Sequence, residues 1–395
     1  MRYIKWIGAV VGVVLLGGAL IFFGNFYSKN SSKVESQKSK TTVNNKITTK
    51  KGIKLTGSNS DDQYKSVIKD GNYLVGKARG VTANQNGNQY NTVNFENGLL
   101  DVARKHFSPK SYIFQEGQYL DTKTAQSWLK RKSHDNPSGL NPEDNGKTDD
   151  GRNPYYLQSI EEQDFMTQED STLKLKGIVL GLAMNTEDIY QKEEYGVNFT
   201  QKIEDSTRIA KGKEIAAEVV ARYRKMEGIS NNTPIVVAMF SQSSDDSLAG
   251  GSFYSYVESK SGTKLGDFKS INEKNVVLPM QENTKNYQDM ASGLNTQFVN
   301  FQNNIQGFFP NVSYVTGTAK YNDKDVKSLK VDITTQFYSQ TEMDSFSNYV
   351  AQTAPSFLPT NLSVQIRIKT VEGVQTVLVQ KSNSKTYDIT RLESD

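Results

Sequence analysis

Twenty-three consecutive residues near the N-terminus, Trp6 to Ser28, carry no charge, and Trp6–Phe23 (WIGAVVGVVLLGGALIFF) is almost wholly apolar. As a helix rising ~1.5 Å per residue, such a run reaches roughly 34 Å, enough to cross a bilayer core of ~30 Å. Arg2 and Lys5 precede it. An N-terminal positive flank keeps that end in the cytoplasm and sends the chain beyond the helix outside. A cleaved signal wants a shorter apolar run followed by small residues of A-x-A type. Here Leu20–Phe23 follow Gly17-Gly18-Ala19 directly, so residues 1–28 are expected to be a retained membrane anchor.

Residues 29–60 read as a linker rich in Lys, Ser, Thr and Asn, whose first part (KNSSKVESQKSKTTVNNKITTKK, 29–51) has too little apolar content to order itself. The charge is distributed unevenly. Residues 1–51 hold nine Lys or Arg against Glu35 alone, a net +8, which leaves −4 for the rest of a chain whose total is +4. The basic character belongs to the tail and not to the folded body, which argues against a nucleic-acid partner. The chain has no cysteine, so disulfides, thiolate metal sites, thiol catalysis and an N-terminal lipid on cysteine are all excluded.

The body predicts an α+β fold of antiparallel sheets with packed helices. Gly212, Ala216, Val219, Val220 and Tyr223 share a helical face, and Phe298, Phe301, Ile305 and Phe308 form a second stripe. Leu329, Val331 and Ile333, and again Leu362, Val364, Ile366 and Ile368, alternate with polar residues as half-buried strands do, and Glu372-Gly373 suits a hairpin turn. Ile235–Phe240, in contrast, is continuously apolar, as in a strand covered on both faces. Thr341 and Asp344 suit the cap and third position of a helix over Met343–Val350. The order strand, helix, strand, strand occurs twice, from Leu173 and again from Leu329, which predicts two similar β-α-β-β lobes at 61–260 and 261–395.

The inventory for catalysis is small. His106 and His134 lie in no ligand or triad spacing and read as exposed; no nucleophile elbow or phosphate loop is present. Carboxylates gather at Asp149-Asp150 and at Glu161, Glu162 and Asp164, the one pattern on which a glycoside-type hydrolase could draw. Asp135–Arg152 reads as a loop, and the aromatic stretches 112–119, 155–156 and 253–256 as core. No catalytic, cofactor-binding or metal-binding residue is predicted.

Several segments, in order over about residues 64–380, resemble one family: FENGLLDVARKHFSPKSYIFQEGQYLD (95–121), QSWLKRK (126–132), NPSGLNP (136–142), NPYYLQSIEEQDF (153–165), IAAEVVARYRKMEGISNNTPIVVAMFSQ (215–242), GDFKSINEKNVVLP (266–279) and the C-terminal strand pair. They are similar to the CamS family of sex-pheromone precursor proteins of Gram-positive bacteria. The resemblance implies an exported, membrane-attached α+β protein without an enzymatic activity. It also implies a signal segment that in certain members is trimmed to a mating-inducing peptide. Typical members carry a lipid on a cysteine at the end of the signal; the corresponding Ala19–Asn25 has none. The expectation is therefore a CamS-like protein held in the cell membrane by its own single helix, with its body on the extracellular face. It would act by binding a cell-wall component, a peptide or another surface protein. The alternative is a wall-directed hydrolase using the carboxylates near 149–164.

Overall fold

A computed structural model of the chain describes residues 53–56, 63–83 and 92–392, apart from residues 150, 171, 194, 244–246, 248, 281–287, 309–311 and 338. Residues 1–47 and 48–395 separate as two units, and the description concerns the second. The anchor expected at 1–28 and the linker up to residue 52 lie outside the described residues. No helix among the described residues is long and apolar enough to cross a membrane.

Among the described residues, two large sheets, a separate two-stranded hairpin and five α-helices build the body. In chain order the first half contains β1 (Ile53–Thr56), β2 (Lys65–Lys69), β3 (Asn72–Tyr73), α1 (Thr92–Arg104), β4 (Ile113–Glu116), α2 (Thr122–Leu129), β5 (Leu157–Glu169) and β6 (Thr172–Met184). The hairpin β7 (Glu187–Gln191) and β8 (Asn198–Lys202) follows, then α3 (Asp205–Tyr223), β9 (Ile235–Ser241), β10 (Ser252–Ser259) and β11 (Lys269–Ser270). The second half contains β12 (Glu273–Leu278), α4 (Gln288–Phe308), β13 (Val312–Asn322), β14 (Asp325–Thr335), α5 (Gln340–Thr353), β15 (Ser363–Thr370), β16 (Gly373–Gln380) and β17 (Asp388–Arg391).

The sheets run β1-β2-β4-β5-β6-β9-β10-β11, with β3 on β2, and β12-β13-β14-β15-β16-β17. From β4 onward their pairings match step for step. β4/β5 and β5/β6 are antiparallel, β6/β9 parallel, β9/β10 and β10/β11 antiparallel. The six strands β12 to β17 repeat that series, with β14/β15 as the parallel pair. Helices occupy equivalent connections too: α2 and α4 follow the first strand of each series, and α3 and α5 make the parallel crossover. The sheets are thus mixed rather than antiparallel. α3 and α5 each return the chain to the end where the preceding strand began, so β9 runs parallel to β6 and β15 to β14.

The halves differ in their layers. In the first, α2 and α3 pack on one face of the sheet through Trp128, Ile215, Val219 and Tyr223, while α1 covers the other through Phe95, Leu99 and Val102. Strands covered on both faces are apolar throughout, as Ile178–Met184 and Ile235–Phe240 are. In the second, α4 and α5 lie on one face, over Leu329, Val331, Ile333, Val364, Ile366 and Ile368. The alternate residues of those strands face away from the helices.

Three boundaries differ from expectation. Ile53–Thr56 pairs with β2 inside the stretch read as linker, because Ile53 and Leu55 pack against the small cluster around Val67. The first sheet continues to Ser270, so the chain changes sheets at Ile271-Asn272 rather than at 260. Ser339, not Thr341, caps α5: its hydroxyl accepts from the Glu342 amide, and Glu342 reaches back to the Ser339 amide.

Candidate functional site

The carboxylates singled out in the sequence separate on folding. Asp149 is exposed in a loop, where it accepts the Gly151 amide, and Asp150 lies outside the described residues. On β5, successive side chains point to opposite faces. Glu161 takes the α1 side, near Arg79 and Glu116. Glu162 and Asp164 are buried together on the α2 side. Glu162 Oε1 accepts the Tyr119 amide at 2.9 Å, and its Oε2 accepts the Leu120 amide at 2.7 Å and the Tyr223 hydroxyl at 2.9 Å. Asp164 Oδ2 accepts the Gln118 amide at 3.0 Å. Burial, reinforced by the neighbouring Glu162, pushes the Asp164 carboxyl well above the usual carboxylate range. These groups satisfy the amides of the turn leading into α2. A hydrolytic carboxylate must reach its substrate, and this pair is enclosed and engaged with the fold.

His134 is exposed beside Asp135, as expected. His106 is not: its ring stands edge-on to Tyr256 at 5.1 Å, and burial lowers its basicity. The sequence suggested exposure because His106 follows a helix end, but that end packs against β10. Among the described residues no group of three His, Cys, Asp or Glu is placed to hold a metal ion.

A site with room for a ligand lies where the sequence singled out nothing. Between α1 and the helix-free face of the second sheet lies a cleft of about 470 Å³. Its first wall follows from helical spacing. Phe95, Leu99 and Val102 turn α1 onto its own sheet, which leaves Asn94, Asn97 and Asp101, at intervals of three and four, as the outward stripe. Its second wall consists of the outward positions of β12 to β15: Asn275, Thr318, Lys320, Ser328, Lys330, Gln365 and Arg367.

Charge is balanced at two of the cleft's three cations. Lys320 Nζ lies 3.0 Å from Asp101 Oδ2 and 3.3 Å from Glu273 Oε2. Burial opposes the charge of Lys320, and the two carboxylates outweigh it, raising its pKa. Arg367 donates twice to Asp332, at 2.6 and 2.7 Å, and Lys369 donates to the same carboxylate at 2.8 Å. Burial pushes Asp332 upward, but these two cations prevail and hold it below its ordinary value. Lys330 is exposed to the cleft and has no hydrogen bond or ion pair among the described residues.

Residues 73–386 match the family model described as CamS sex pheromone cAM373 precursor. The crystal structure of a sex pheromone precursor from Lactobacillus salivarius subsp. salivarius is 46% identical over 87% of this chain and all of its own, with a TM-score of 0.82. The C-terminal domain of the staph-cAM373 sex pheromone precursor of Staphylococcus aureus is 30% identical over 77% of this chain and 97% of its own, with a TM-score of 0.64. None of the curated proteins compared matches the chain.

Proposed function

The chain belongs to the CamS family of sex pheromone precursors, and from that premise we propose that it is an extracytoplasmic binding protein of a Gram-positive bacterium. The uncharged run Trp6–Ser28 behind Arg2 and Lys5 supports a retained membrane anchor with the body outside. The absence of cysteine rules out a lipid on that residue type, so the helix alone carries the attachment. It also removes the lipoprotein cleavage that would start release of a pheromone peptide.

The observation that carries the binding role is the cleft: about 470 Å³, walled by polar side chains from both halves. Pockets of roughly 300–1,000 Å³ accommodate small ligands or segments of a longer one. The ligand is a cell-wall component, a peptide or another surface protein.

The test is retention. Residues 48–395, immobilised, are expected to hold a component from peptidoglycan, teichoic-acid or surface-protein fractions. Failure with all three would sink the binding role. Intact mass of the membrane-bound protein checks the anchor: a species beginning near Met1 is expected, and one beginning between about residues 19 and 30 in the medium would show cleavage.

A further inference from the structure

The cleft's chemistry narrows its ligand to one class. The second wall is an open sheet face, so its side chains form rows across the strands. Thr318 pairs with Lys330, and Lys330 with Gln365. At ~4.8 Å between strands, that row spans about 10 Å, the length of roughly three residues of extended peptide. Asn97 faces the cleft from α1. Thr318, Lys330, Gln365 and Asn97 spend no side-chain polar group on other described residues. A carboxamide both donates and accepts, as a peptide unit does, so Gln365 and Asn97 match a backbone N–H and C=O together. Lys330 offers three donors and an uncompensated positive charge, which is the complement of a carboxylate.

A glycan is the less fitting occupant. Sugar sites rely on exposed aromatic faces, and the two rings that line the cleft, Phe240 and Phe253 on the first sheet, are 0% and 1% exposed. Resting on the binding role above, we propose that the cleft holds an extended acidic peptide, its carboxylate on Lys330 and its backbone between Gln365 and Asn97.

The probe is a phage-displayed library of random nine-residue peptides, panned on the full-length chain in detergent. Peptides enriched in Asp and Glu are expected. Lys330→Glu should reduce their binding at least tenfold, and Gln365→Ala should weaken it severalfold. Lys225→Glu, just past the C-terminal end of α3, should leave it unchanged. Circular dichroism of each variant confirms folding; Lys330 is exposed, so its replacement leaves the core intact. Enriched peptides that ignore Lys330→Glu, or that carry no acidic residue, would overturn the proposal. Binding of muropeptide glycan or teichoic acid with no peptide enriched would overturn it while the binding role stood. No retention of peptide, glycan or surface protein would overturn both.

Discussion

Lys320 Nζ stands 3.0 Å from Asp101 Oδ2, joining residues 219 apart in sequence, one on α1 and one on the open face of the second sheet. The pair lines the cleft and links its two walls, while Glu273, on the same sheet as Lys320, pairs with that lysine from its own side. Both side chains are about a third exposed or more, so solvent screening limits what the contact is worth. A double-mutant cycle with Lys320→Met and Asp101→Asn is expected to give a coupling of about 0.5–1 kcal/mol. Thermal unfolding of the four proteins measures it; a coupling of zero would mean that the pair adds nothing and that the halves are held by packing and by contacts such as the Asn275 Nδ2 hydrogen bond to the Gly251 carbonyl.

Glu162 is a stronger tie, because it is buried and accepts three hydrogen bonds. Glu162→Gln places an N–H₂ against an amide or hydroxyl donor and leaves a buried donor unpaired. The expected loss is about 2–3 kcal/mol, against roughly 1 kcal/mol for Tyr223→Phe, which removes one bond and leaves the amides served. Denaturant unfolding distinguishes the two. Equal small losses would show that the turn before α2 is held by other contacts.

Much of this architecture is legible in the residues. Continuous apolar runs at Ile178–Met184 and Ile235–Phe240 announce strands covered on both faces. Alternation at Leu329–Ile333 and Val364–Ile368 announces a sheet with one face free. The second β-α-β-β order is visible for the same reason. What periodicity does not carry is the partner of each face. Asn94, Asn97 and Asp101 read only as the wet side of a helix, because nothing local tells that side it will meet Thr318 and Lys330 across a cleft. The carboxylates on β5 mislead in the opposite direction. Spacing brings Glu162 and Asp164 to one face, but their role depends on three amides from residues 118–120, which the sequence does not place beside them.

Two aspartates should give opposite pH responses. The folded pKa of Asp332 lies below its unfolded value, so its contribution is present above the unfolded pKa of about 3.9 and is lost as pH falls through the folded value. Asp164 is raised, so its contribution is present below the unfolded pKa and is lost as pH rises through the folded one. Asp332→Asn should therefore flatten the acid side of a melting-temperature profile, and Asp164→Asn the side above the carboxylate range. Profiles unchanged in shape would contradict these assignments.

The absence of cysteine allows the central claim to be tested by blocking the cleft at one chosen atom. A single thiol introduced as Gln365→Cys, and a second as Lys225→Cys on the far side of the first half, are each coupled to a bulky maleimide. Retention of the wall-fraction component by the labelled proteins is then compared with the unlabelled ones. Binding in the cleft predicts a loss of at least tenfold for the label at 365 and no change for the label at 225. Equal retention with the cleft blocked would place the ligand elsewhere on the molecule.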